Sequence, residues 1–285
     1  MLIGAHVTTK SGPISGVREG ERLNAEVVQI FVGSPRMWRM SPKTRDDGRA
    51  LQDAIAGSTI VRSLVVHASY LINLASSEEE LVSKSRELLL KTVLSASNLG
   101  ASYVVLHTGS HRQRGYEAVR DQVAASLFEV VELLRGEGVG TKLLIENTAG
   151  AGGTVGASLE ELDDLIHLVD APSQLGLCLD TQHLFAYGYD YRKQEVRDHL
   201  VSELAGRFGV IECVHLNDSK TPSGEKHDRH ENLGEGEIGE AALASLLSDQ
   251  VFRSSQVILE VPGDGSGPRA SDIAQARELL NSAAS

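Results

Sequence analysis

The chain has 285 residues, 41% of them hydrophobic and 23% charged, a globular composition that excludes disorder and collagen-like repeats. With 27 basic against 39 acidic side chains its formal charge is −12, which excludes general polyanion binding over the whole surface and leaves any nucleic-acid contact to a local basic face or to bound metal. Two cysteines, Cys178 and Cys213, exclude a disulfide scaffold and fit a reducing, cytoplasmic setting; the N-terminus carries no signal-peptide pattern, and no window approaches the ~18 apolar residues of a membrane span.

In chain order, short runs rich in Val, Ile and Leu occupy 2–7, 26–32, 63–68, 102–107, 142–147, 175–181, 210–217 and 256–261. Such runs lack polar alternation, as strands buried on both faces do. Between them the helical period predicts helices over 13–24, 45–56, 78–99, 115–135, 158–169, 192–206, 238–249 and 270–281. In the third of these, Leu81, Ser85, Leu88 and Thr92 mark one stripe with Leu89 and Val93 beside it. That helix opens after Ser77 on a glutamate run and is stopped by Gly100. Eight strand–helix cycles imply parallel strands with right-handed crossovers, and thus an α/β fold, a (β/α)8 TIM barrel. The rival open doubly wound sheet lacks a G-x-G-x-x-G turn. With no linker composition, the expectation is a single domain over 1–285.

In such a barrel the reacting groups stand where strands end. The third strand ends with His67, the fourth with His107 and the fifth with Glu146. The sixth ends with Asp180 and, in the loop beyond, His183. The seventh carries His215, its loop holds Asp228 and His230, and the eighth ends at Glu260. A lone histidine there is commonly structural, but an unpaired carboxylate inside an apolar run costs several kcal/mol. Nine imidazoles and carboxylates on the same rim of six consecutive strands exceed coincidence. Without a thiolate among them they suit Zn²⁺ or Mn²⁺, and nine are too many for one ion. A multinuclear metal site is expected.

Asp228-x-His230 puts two of these groups on one side of an extended segment. Cys178 and Cys213 lie inside strands and read as packing residues. His6 and His111 read as orienters of the site, His167 and His199 as helix-surface residues, and His227 stays unassigned. Arg36, Arg39, Lys43, Arg45, Arg112, Arg114, Lys220, Lys226 and Arg229, with Trp38 among them, ring the same mouth. Together with metals they suggest a phosphate-bearing substrate. Three Zn²⁺ would also bring the net charge to about −6.

The stretches GAHV (4–7), HASYLINLA (67–75), LHTGSH (106–111), IENTAGAGGTVG (145–156), CLDTQHLFAYGYD (178–190), HLNDSK (215–220), DRHENLGEGEIG (228–239) and LEVP (259–262) resemble, in order and spacing, the endonuclease IV family of apurinic/apyrimidinic endonucleases. The resemblance covers essentially the whole chain. It implies a zinc-dependent TIM barrel with three zinc ions per chain, Mn²⁺ being possible at some positions. His67 and His107 would bind the first, bridged by Glu146 to a second completed by Asp180, His215 and Glu260, while His183, Asp228 and His230 would hold the third. It further implies cleavage 5′ to an abasic site in double-stranded DNA, leaving a 3′-hydroxyl and a 5′-deoxyribose phosphate, and trimming of blocked 3′ ends. Arg36, Tyr70 and Leu71 would enter the bent duplex, with Arg229 a further DNA contact.

The physical logic agrees, since zinc acidifies water toward a pKa of ~7 and several ions can share the charge of a phosphate. Glu260 is expected to orient or deprotonate the attacking water, with Glu146, the bridging carboxylate that the resemblance implies, as the second catalytic residue. An abasic nucleotide is cheap to flip, and apolar wedges can fill its gap. The sequence departs from the family at Gly33-Ser34, where Lys-Asn is common, at Gln182, where Cys is usual, and in the glycine-rich VPGDGSGP after Glu260.

Two other readings compete. A mononuclear sugar isomerase or epimerase would need only Glu146, Asp180, His215 and Glu260, leaving five ligands without purpose. A non-catalytic lesion-binding protein would close its zinc in four-ligand cages rather than share carboxylates at an open mouth. One open mouth engages one duplex, so a monomer is expected.

Overall fold

The computed structural model describes residues 1–9, 11–137 and 140–282. Its strands are β1 (Leu2–His6), β2 (Val27–Ile30), β3 (Ser63–His67), β4 (Tyr103–Leu106), β5 (Lys142–Glu146), β6 (Leu175–Asp180), β7 (Cys213–His215), β8 (Asp218–Ser219), β9 (His230–Glu231) and β10 (Gln256–Leu259). All but β8 and β9 run parallel and close into a barrel. Each barrel strand pairs with the next one along the chain, and β10 closes the ring against β1 with Leu2 opposite Gln256 and Ala5 opposite Leu259. Every barrel strand falls within its predicted run. The TIM barrel is therefore the fold.

The helices are α1 (Pro13–Leu23), α2 (Arg45–Gly57), α3 (Glu79–Asn98), α4 (Arg120–Glu137), α5 (Leu159–Val169), α6 (Thr181–Tyr187), α7 (Gln194–Phe208), α8 (Glu240–Leu247) and α9 (Ala270–Ser282). In α3 the predicted stripe faces inward, with Ser85, Leu88, Leu89, Thr92 and Val93 buried. Gly100 then takes φ +74°, where a side chain would be strained. Ser77 does not cap this helix; Ser76 Oγ accepts from Glu78 N instead.

Two elements were not foreseen. The seven-residue helix α6 starts directly where β6 ends, and a hairpin of β8 against β9 rises from the loop after β7. His183 therefore stands on α6, not in a loop. The Asp180 carboxylate caps that helix by accepting from His183 N at 2.8 Å, so the helix begins at the strand's last residue.

The main apolar core lies between barrel and helices. A smaller cluster fills the barrel interior with Val27, Val65, Val105, Leu144, Cys178, Cys213 and Ile258. Side chains alternate along a strand, so the residue two positions on points inward one layer higher. Read around the barrel, that layer is Gln29, His67, His107, Glu146, Asp180, His215 and Glu260, and β1 adds His6 above Gly4. The cysteines are floor and the polar ring is the mouth. Among the described residues no helix is long and apolar enough to cross a membrane.

Candidate metal centre

The layer above the apolar floor brings the predicted residues together. Donor atoms of His67, His107 and Glu146 lie within 4.8 Å of one another; so do those of Glu146, Asp180, His215 and Glu260, and those of Asp180, His183 and His230. Asp228, on the loop leading into β9, reaches over with Oδ1 3.4 Å from Nε2 of both His183 and His230. Glu146 sits among His67, His107 and His215: Oε2 is 3.2 Å from each of the first two Nε2 atoms, and Oε1 is 2.9 Å from His215 Nδ1.

The chain fixes two of the rings from behind. His67 Nδ1 is held by Ala68 O at 2.8 Å and His183 Nδ1 by Asn147 O at 2.9 Å, which turns both Nε2 atoms toward the carboxylates. Asn147 also accepts from Asp180 N through Oδ1 and donates to Asp180 O. Asn217 donates to Asp180 Oδ2 at 2.7 Å and accepts from Glu260 N at 3.0 Å. His6 Nδ1 lies 3.1 Å from Glu260 Oε1. His111 does not join the group, for its Nδ1 accepts from Gly115 N in its own loop.

Sequence reasoning missed Gln29, Asn147, Asn217 and Asp218. Each is a fully buried polar residue, and the signal in the sequence was a polar side chain inside an apolar run at Gln29 and at or just beyond the end of one at the other three. Asp218 is fully enclosed, its carboxylate accepting from the backbone of Ser219, Gly234, Gly236, Ile238 and Gly239. A Cβ on Gly236 would come within 2.5 Å of that carboxylate. The wrapped loop braces β8 against β9, and with it His230. Gln182 is also buried and donates to His227 O at 2.8 Å, next to Asp228.

The charges within the cluster set what it demands. Burial disfavours every charge here and prevails at His107, whose pKa falls below the usual histidine value. At His183 burial is outweighed by Asp180, Asp228 and Glu146, which push it up to about 10. His215 is likewise held well above its ordinary value, burial being overcome by Glu146 and Glu260. The carboxyls are raised by burial but lowered further by the rings. His107 and His215 hold Glu146 far down, contact with His183 brings Asp228 to about 2, and His215 and His6 keep Glu260 below the usual carboxylate range. With Asp180 among them, four carboxylates demand positive charge; Glu146 and Asp180 are fully buried, while Asp228 faces the open mouth. His230 Nε2 is buried without a hydrogen-bond partner, 3.5 Å from Asp180 Oδ2. An orphaned imidazole nitrogen facing carboxylates, in a donor set without thiolate, fits divalent zinc or manganese.

The mouth opens as one cavity of about 980 Å³ on the β1, β2 and β10 side and a second of about 320 Å³ on the β4 and β5 side, with Tyr70, His107, His183 and Asp228 lining both. Tyr70 is 58% exposed, its ring 5.3 Å from Phe31 and 5.5 Å from His67. Arg36 and Arg229 are exposed and Leu71 half-buried. Ser69 Oγ donates to Pro35 O at 2.8 Å, tying the loop of Tyr70 and Leu71 to that of Arg36. Gly33 and Ser34 line the larger cavity with Gly265, Ser266, Gly267 and Pro268 of the glycine-rich loop.

A family model described as a xylose isomerase-like TIM barrel matches residues 17–283. Curated relatives include the probable endonuclease 4 of Halothermothrix orenii, 34% identical over 92% of this chain and 94% of its own, and that of Symbiobacterium thermophilum, 36% identical over 98% and 100%. Among solved structures, endonuclease IV from Thermus thermophilus superposes with a TM-score of 0.82 at 32% identity, covering 99% and 98% of the two chains. A D-tagatose 3-epimerase-like protein superposes at 0.73 with 20% identity, a likeness of fold alone.

Proposed function

The chain belongs to the endonuclease IV family, and from that premise we propose that it is a DNA repair endonuclease that hydrolyses the duplex backbone 5′ to abasic sites with three zinc ions at the barrel mouth, leaving a 3′-hydroxyl and trimming blocked 3′ ends. The observation that carries this reading is the convergence of nine imidazole and carboxylate side chains on one rim, eight of them in overlapping groups that share Glu146 and Asp180 and the ninth, Asp228, against His183 and His230. A mononuclear isomerase has no use for His67, His107, His183, Asp228 and His230.

His67, His107 and Glu146 would hold one ion; Glu146, Asp180, His215 and Glu260 a second; and His183, Asp228 and His230 a third, with Asp180 close enough to share it. When bound, divalent zinc supplies a nucleophile from water near neutral pH and offsets charge building on the phosphate. Glu260 orients the attacking water and takes its proton, its backbone N–H held by Asn217 and its carboxylate by Gln29 of β2. Arg36 and Arg229 bind backbone phosphates, which positions the duplex without reading sequence. Tyr70 and Leu71 fill the space left by the missing base, which costs little because an abasic nucleotide has no stacking to lose. The protein acts as a monomer, one mouth to one duplex.

The test is incision of a duplex with a single abasic site by purified protein, with metal content determined on the same sample. Cleavage 5′ to the lesion with about three zincs per chain is the expected outcome. One metal and no cleavage would favour the isomerase reading. Three metals and no cleavage would point to a different phosphodiester substrate, with the Gly33-Ser34 loop the first suspect.

A further inference from the structure

Seven of the eight inward positions at the barrel mouth carry an imidazole or a carboxylate; the eighth, on β2, is Gln29. It is fully buried, in a strand that is otherwise Val27, Val28 and Ile30. A lone carboxamide among valines costs stability unless its bonds are made, and here they are made to the centre. Nε2 donates to Glu260 Oε1 at 2.7 Å and faces His6 Nδ1 at 3.0 Å, while Oε1 lies 3.0 Å from His215 Nε2.

The direction of the carboxamide is forced. Glu260 Oε1 offers only lone pairs, so the NH₂ end must face it, and the carbonyl end must then face His215. That carbonyl needs a donor, so His215 Nε2 keeps its hydrogen. His215 can then offer only Nδ1 as a ligand atom, the atom that lies 2.9 Å from Glu146 Oε1 and 3.5 Å from Glu260 Oε2. At His67 and His183 the same service comes from the backbone carbonyls of Ala68 and Asn147. At His215 the side chain of Gln29 supplies it. We infer that Gln29 is a positioning residue of the centre, a single side chain that selects the coordinating nitrogen of His215 and aims the carboxylate of Glu260. Through that pair it tunes one ion, the one they share, and leaves the others unaffected. The inference rests on the metal reading of the mouth.

The experiment compares wild type with Gln29→Met, similar in volume but unable to hydrogen-bond, and with Gln29→Glu, which keeps an acceptor for His215 but sets oxygen against Glu260. Zinc retained per chain is measured against graded chelator, together with kcat and KM on an abasic duplex and circular dichroism of the metal-free proteins. Both variants are expected to stay folded and to release one zinc at about 10–100-fold lower chelator strength, with the remaining ions unmoved. kcat should fall by a similar factor and KM stay unchanged. A release curve for Gln29→Met within about two-fold of wild type, or loss of all ions together, overturns the inference. If Gln29→Met fails to fold, the same readings on Gln29→Glu decide it. A wild type that retains no metal would sink the metal reading as well, so the two failures are distinguishable.

Discussion

Glu260 shows how much a single side chain carries here. It follows directly on the last barrel strand, meets Gln29, His6 and His215, and is the proposed acceptor of the attacking water's proton. Glu260→Gln is expected to leave a folded, metal-binding barrel whose incision rate drops by about 10²–10⁴, the usual worth of a general base; wild-type-like incision in a single-turnover assay would remove that role. Arg36→Ala should weaken duplex binding evenly across sequences and lower the salt slope by about one, read from affinities at several salt concentrations. An unchanged slope would take Arg36 out of the interface. At this scale the histidines and carboxylates of the rim were legible in the sequence as a set, because a lone histidine at a strand end is commonly structural but nine such groups on one rim are not; Asp218, one residue beyond its run, was missed. Gln29 and Asn217 were missed too, since a neutral amide in such a run is satisfied by any hydrogen bond, and only the closed barrel shows which bonds it makes.

Among the elements, the α6 helix and the β8–β9 hairpin place the three residues farthest from the strand ends: His183, Asp228 and His230. Neither element was foreseen, for physical reasons. Seven residues give less than two full turns of period, and two-residue strands give no alternation at all. The strands and longer helices were legible because burial on both faces and on one stripe leaves a pattern over many residues. The hairpin owes its shape to Asp218, whose carboxylate takes five backbone N–H groups. Asp218→Asn keeps the shape but replaces one acceptor oxygen with a donor aimed at donors, so a loss of about 1–3 kcal/mol is expected. Hydrogen exchange should localise that loss to residues 230–239, with weakened zinc retention at His230. Unchanged protection there would show that the loop does not depend on the carboxylate. Gln182, where the family usually has Cys, braces the same region through the His227 carbonyl. Its Nε2 is used but its Oε1 is buried without a hydrogen-bond partner, so the larger polar side chain is only half satisfied there.

For the molecule as a whole, four carboxylates crowding one end of the barrel are a liability that bound cations remove. Stripping the metals with a chelator should lower the melting temperature, and added zinc should restore it in a concentration-dependent way, each site adding about 2.7 kcal/mol of stability when free zinc reaches about a hundred times its dissociation constant. Calorimetry over a zinc series checks this, and a melting temperature indifferent to zinc would argue against a centre that binds it. Closure of the barrel carries a consequence of another kind. β1 gains β2 early, but its other edge waits for β10, which lies at the far end of the chain, Leu2 meeting Gln256. At synthesis rates of roughly 5–20 residues per second that wait lasts about 13–50 s. Glu260 arrives with the closing strand, so the step that seals the barrel also supplies the last of the proposed ligands. A chain still being made is therefore not a nuclease: cutting has to wait until the final strand has left the ribosome.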